Sequence, residues 1–122
     1  FNCAYLFVNL LGNEAGRMIY DGDIIFGLKG EVIHLNNRLS LKPFNLVWCD
    51  VDFNNLDATE KHPLTDSKIK NEEFIKATSL ALFDYLRKSK AKGYVLSLSG
   101  GADSSLCAIL VAEMVRRGVQ EL

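Results

Sequence analysis

The sequence predicts an α/β chain in two parts, a run of short antiparallel strands followed by the first helix–strand–turn–helix of a parallel sheet. Three observations carry this expectation. Residues 4–53 hold short apolar runs separated by Gly and Asp turns, without helical spacing. Residues 54–70 are predominantly polar. Residues 71–122 place two helical patterns around one apolar run and a Gly-Gly turn.

The first part reads as strands in order. Residues 4–10, rich in aromatic and branched side chains, predict a buried strand. Residues 11–17, with Gly12 and Gly16, predict a loop. Met18-Ile19-Tyr20 reads as a short strand closed by the turn pair Asp21-Gly22. Ile24-Ile25-Phe26 and Val32-Ile33-His34-Leu35 flank a turn over residues 27–31 and predict a hairpin. Residues 46–53 alternate, with Val47, Cys49, Val51 and Phe53 on one side, and predict a half-buried strand.

The polar stretch that follows predicts a linker and a domain boundary. Asn71-Glu72-Glu73 offers an N-cap and an acidic first turn. Phe74, Ile75, Thr78, Ala81, Leu82, Tyr85 and Leu86 form the stripe of a helix that Gly93 is expected to end. A strand over 94–98, a turn over 99–103 and a helix over 104–117, closed by Gly118, complete the order.

Composition narrows the function classes. The 122 residues carry 14 basic and 15 acidic side chains, so there is no electrostatic case for nucleic acid or an acidic membrane surface. The one basic cluster, residues 87–92, suits the negative end of a helix dipole. No apolar run approaches the roughly 20 residues of a membrane span. Cys3, Cys49 and Cys107 are far apart and lack metal-ligand spacing, which predicts reduced thiols in a cytoplasmic protein, with Cys3 buried and inert. His34 and His62 stand apart from any second ligand in sequence. The chain begins at Phe1 without Met, and the expectation is a segment of a longer protein whose apolar faces stay exposed.

The chemistry concentrates at Ser97-Leu98-Ser99-Gly100-Gly101-Ala102-Asp103-Ser104-Ser105. A strand feeding a small polar turn into a helix start is an anion site: the first-turn N–H groups have no intrahelical partner and the dipole favours negative charge there. Two adjacent glycines allow close backbone approach to a bulky anion. Hydrogen bonds to a charged group contribute about 1.5–3 kcal/mol each, so several hydroxyls and N–H groups can hold a pyrophosphate. Asp103 has two readings. It caps the helix, or it binds Mg²⁺, which relieves the repulsion between a carboxylate and a phosphate. The turn lacks the lysine and the spacing of a Walker A loop, and it is not G-x-G-x-x-G.

Ser99-Gly100-Gly101-Ala102-Asp103-Ser104 resembles the SGGxDS pyrophosphate loop of the ATP-pyrophosphatase (N-type) superfamily. Residues 83–89 followed by 93–101 are similar to the beginning of the synthetase domain of glutamine-dependent NAD synthetases. Residues 9–22 resemble the late part of the nitrilase-type glutaminase domain in the same family. The resemblance implies the C-terminal strands of a nitrilase-like αββα sandwich over 1–56, a linker over 57–70, and the start of an adenine nucleotide α-hydrolase-like domain over 71–122.

It further implies an ATP-dependent ligase that adenylates nicotinic acid adenine dinucleotide and forms NAD with ammonia from glutamine. Residues 97–105 would bind ATP and Asp103 would bind Mg²⁺. The glutaminase Cys-Glu-Lys triad would lie before Phe1, and Asn13, Glu14 and Arg17 are candidates for the glutamine pocket. The same residues also read as a plain loop with a Glu14–Arg17 surface pair. A homo-oligomer is implied for the whole enzyme. The alternatives are a GMP or asparagine synthetase, or a non-catalytic nucleotide-binding module.

Overall fold

The computed structural model describes residues 3–14, 17–55, 57–58 and 70–122. Nine elements follow in order: β1 (Ala4–Val8), β2 (Leu11–Glu14), β3 (Met18–Asp21), β4 (Ile24–Leu28), β5 (Glu31–Leu35), β6 (Val51–Asp52), β7 (Asp57–Ala58), α1 (Lys70–Ser89) and α2 (Ala102–Glu121). Among the described residues the fold is mixed α/β, with antiparallel strands and two helices.

Strands β1 to β4 form one long bent hairpin. Val8 faces Ile24 and Leu11 faces Asp21 in the same register, and Asn9 N–H to Asp23 O (2.8 Å) and Gly22 N–H to Leu10 O (2.8 Å) carry the ladder across the gap. The expected loop over 11–17 is therefore strand up to Glu14, because Leu11 and Asn13 find cross-strand partners in Asp21 and Ile19. Strand β5 joins β4 through Lys29-Gly30, both at positive φ (53° and 87°), the two-residue turn whose twist suits a hairpin. A bulge between Phe26 and Gly27 re-aims the strand.

Asp21 ties the bend together. Its Oδ1 accepts from Asn9 Nδ2 (2.8 Å) and Asp23 N–H (3.1 Å), and its Oδ2 faces Arg38 at 3.4 Å. Burial, then the Asp21 charge, raises the Asp23 carboxyl above the ordinary carboxylate range.

The core lies between this hairpin and the helices. Leu39 and Leu41 insert against Leu80 of α1, with Leu11, Ala77 and Phe83 around them. The helices pack on each other, and α1 packs on β2 and β3.

Several expectations are corrected. Strand β1 is exposed along its whole length, since it has β4 on one edge and no layer of described residues on its faces. Of the strand expected over 46–53 only β6 forms, because only Val51 and Asp52 find a partner strand. Residues 94–98 form no strand. No strand among the described residues pairs with them.

Helix α1 already includes Asn71 at its second position, so Asn71 is not its cap. It stops at Ser89, before Gly93, where Lys90 takes the left-handed position (φ 57°). Helix α2 continues through Gly118, where Arg117 and Glu121 pair across one turn. The buried positions of α1 are Ser79, Leu80 and Asp84, while Phe74 and Tyr85 are exposed. The linker expected over 57–70 lies outside the described residues except for β7 and Lys70.

Candidate functional site

The turn ahead of α2 is built mainly by backbone. Gly100 takes φ 83°, where a Cβ would meet open space but strained torsions, so glycine serves conformation here. Gly101 is the N-cap at φ −81°, ψ 165°, and no side chain caps the helix. The first-turn N–H groups are thus available to an external anion. Asp103 sits exposed in that first turn and does not act as the side-chain cap.

The hydroxyls line the same turn. Ser99 Oγ lies 3.2 Å from Ser104 Oγ and accepts from Gly101 N–H at 3.5 Å. Ser104 Oγ and Ser105 Oγ donate to the Gly101 carbonyl at 3.1 and 2.9 Å. Three hydroxyls, a helix start and one carboxylate therefore converge within a few residues. Ser97 and Leu98 lead into the turn exposed, and Ser104 is half-buried. Tyr94 donates its hydroxyl to the Leu82 carbonyl (2.6 Å), tying the incoming segment to α1. Burial, then the Tyr85 charge, raises its phenol above the ordinary range.

The chemistry of the donor set suits Mg²⁺ held jointly with a substrate. Among the described residues no group of three or more His, Cys, Asp or Glu is placed to hold a metal. A single exposed carboxylate matches a cation that takes its other ligands from phosphates and water.

Asn13, Glu14 and Arg17 are not brought to this turn. Asn13 is buried and its N–H donates to Asp84 Oδ2 (2.8 Å). Glu14 pairs with Lys88 at 3.6 Å, in place of the expected pairing with Arg17, and Lys88 also donates to the Asn13 carbonyl. Arg17 is exposed, with its N–H on the Glu14 carbonyl (3.3 Å). Cys3 is exposed rather than buried, because β1 is uncovered.

Comparison with known proteins fits this geometry. Residues 74–121 match the family model described as NAD synthase. A solved structure, a glutamine-dependent NAD(+) synthetase from Cytophaga hutchinsonii, is 55% identical with a TM-score of 0.81 over 99% of this chain and 18% of its own. Residues 74–121 are thus similar to the NAD synthase family.

The resemblance to these synthetases extends through the strands. The glutamine-dependent NAD(+) synthetases of Oryza sativa subsp. indica and Homo sapiens are 27% and 26% identical, each over 97% of this chain. The chain spans 21% and 23% of those two relatives, about a fifth of their length. The NAD synthase match begins in the first turns of α1 and ends at the end of α2, so it contains the whole Gly-Gly turn.

The sequence reading missed a second set of residues. Asp84, fully buried, faces Arg87 at 2.5 Å in addition to Asn13. Arg117, buried in α2, donates to the Leu39 carbonyl (2.8 Å), the Lys76 carbonyl (2.9 Å) and Glu121. Glu121 in turn accepts from Leu41 N–H (2.9 Å). The available signal was an aspartate inside the apolar run 80–86.

Proposed function

We propose that this chain is the junction segment of an ATP-dependent ligase that converts nicotinic acid adenine dinucleotide to NAD with ammonia from glutamine. The observation that carries this is the uncapped Gly-Gly turn at the start of α2, inside the segment that matches the NAD synthase family. The strands fit the C-terminal part of a nitrilase-like domain over 1–56, and the helices fit the start of a pyrophosphate-loop domain over 71–122, with a linker over 57–70. Likeness to the synthetases along nearly the whole chain supports that division.

In this reading residues 97–105 hold the phosphates of ATP. A carboxylate oxygen of the dinucleotide acid attacks the α-phosphorus and pyrophosphate leaves. Ammonia then attacks the acyl carbon of the adenylate, AMP departs with the C–O electron pair, and the amide remains. The N–H groups of the α2 start and the hydroxyls of Ser99, Ser104 and Ser105 bind charge that grows on the departing pyrophosphate. Asp103 would hold Mg²⁺, which supplies charge neutralisation at the phosphates.

Of the glutamine-pocket candidates, Glu14 and Arg17 are exposed and Asn13 is buried, and Asn13 and Glu14 are engaged by α1. No helix among the described residues is long and apolar enough to cross a membrane. A cytoplasmic, homo-oligomeric whole enzyme is part of the reading by resemblance to the family alone.

The test is pyrophosphate release by the intact enzyme with a panel of acceptors. Release that requires the dinucleotide acid, ATP and Mg²⁺ together supports the reading. Release with xanthosine monophosphate or aspartate instead points to a GMP or asparagine synthetase, and ATP binding without release points to a non-catalytic module.

A further inference from the structure

Helix α2 carries the Gly-Gly turn at one end and is held at the other end by the segment that follows β5. Arg117 and Asp103 are separated by about 21 Å along the axis at 1.5 Å per residue. At the far end Arg117 and Glu121 bind the backbone of Leu39 and Leu41. Toward the end of α1, Asp84 binds the backbone of Asn13. We infer that Asp84 and Arg117 are positioning residues that fix β2 and the segment after β5 to the helix pair α1 and α2, which carries the phosphate turn. This rests on the reaction proposed above.

Three observations support the pairing. Both side chains are buried and charged, and each is neutralised from its own helix, Asp84 by Arg87 and Arg117 by Glu121. Their remaining hydrogen bonds reach backbone groups, Asp84 the Asn13 N–H on β2 and Arg117 the carbonyls of Leu39, after β5, and of Lys76, on α1, so the contact depends on chain path rather than on a partner side chain. The strand layer is shaped to meet them. Gly12 takes φ 112° with Asp84 Oδ2 in the space a Cβ would need, and Leu39 takes φ 60°, which costs a residue with a side chain.

The two points lie on different helices and on different segments of the first half of the chain, β2 and the stretch after β5. Together they fix orientation as well as distance. In an enzyme that makes ammonia in one unit and uses it in the other, relative orientation decides whether the ammonia reaches the adenylate or escapes to water. Loosening the joint should therefore waste glutamine without impairing ATP binding or use of supplied ammonia.

The test uses the intact enzyme, with NAD formation followed on glutamine and separately on ammonium chloride, and glutamate counted per NAD formed. Arg117→Met and Asp84→Asn are expected to stay within about twofold of wild type in ammonium-driven rate and in KM for ATP. Glutamate released per NAD should rise at least about threefold. A purely structural role would lower both nitrogen-source rates together, and that result overturns the inference, as does an unchanged glutamate ratio. Arg117→Lys keeps the charge but loses the planar fork, and it must show the same split even where Arg117→Met is insoluble. A wild-type enzyme that forms no NAD from either nitrogen source overturns the reaction assignment itself.

Discussion

The Asp84 carboxylate lies where a side chain at Gly12 would begin. Gly12 takes φ 112°, and the next residue, Asn13, donates its N–H to Asp84 Oδ2 at 2.8 Å. A helix carboxylate and a strand glycine therefore define one another across a separation of 72 positions.

Gly12→Ala should open this contact. The Cβ overlaps the carboxylate, and the torsion disfavours any L side chain, so the cost is about 1–3 kcal/mol. Amide exchange at residues 11–14 in the intact enzyme measures it as lost protection. Adding Asp84→Ala to Gly12→Ala removes the overlap, so the double variant should lose less than the two single losses added together.

Removing Asp84 alone has a different signature. Asp84→Ala leaves the Asn13 N–H without its acceptor and the half-exposed Arg87 without its partner, and the lost hydrogen bond to a charged group costs about 1.5–3 kcal/mol. Faster exchange should appear both at Asn13 and in the last turns of α1. Loss confined to α1 would mean that the strand contact is dispensable.

Asp23 supplies a pH-dependent test. Its folded carboxyl is raised by burial and by Asp21, so folding disfavours its charged form. Between the unfolded value, about 3.9, and the raised folded value, the folded state binds the proton that the unfolded state releases, and stability falls as pH rises through that window. Asp23→Asn should therefore slow exchange at residues 22–24 near neutral pH, with a gain within about 0.5 kcal/mol that vanishes at acid pH. A gain that persists below the unfolded value would contradict the electrostatic cause.

The chain by itself should associate. Val95 is fully exposed, and Leu98, Ile109 and Val119 are each more than 60% exposed, a surface that should bind a hydrophobic dye. Light scattering of the isolated chain checks this, and a soluble monomer without dye binding would contradict it.

What was legible in the sequence follows from which interactions are local. The Lys29-Gly30 hairpin, the acidic first turn of α1 and the Gly-Gly turn ahead of α2 depend on neighbours in sequence, and all three stand where the pattern put them. The strand over 94–98 needed a parallel neighbour and was misread for that reason. Leu11 to Glu14 looked like a loop because its two sides pair at a distance, with β3 and with α1. The buried stripe of α1 was misplaced because the face that packs carries Ser79 and Asp84, polar residues that only tertiary contacts can explain. The joining residues Asp84 and Arg117 were hidden in the same way, since their partners outside their own helices are backbone groups that leave no pattern in side-chain identity.

The reading that residues 97–105 hold ATP and Asp103 its Mg²⁺ meets its most direct test in Asp103→Asn of the intact enzyme. Asparagine keeps the size and removes the charge, so pyrophosphate release with ATP, Mg²⁺ and the dinucleotide acid should fall at least about a hundredfold. Amide exchange outside the turn should stay unchanged. Release at the wild-type rate, with the same dependence on Mg²⁺, would contradict the account.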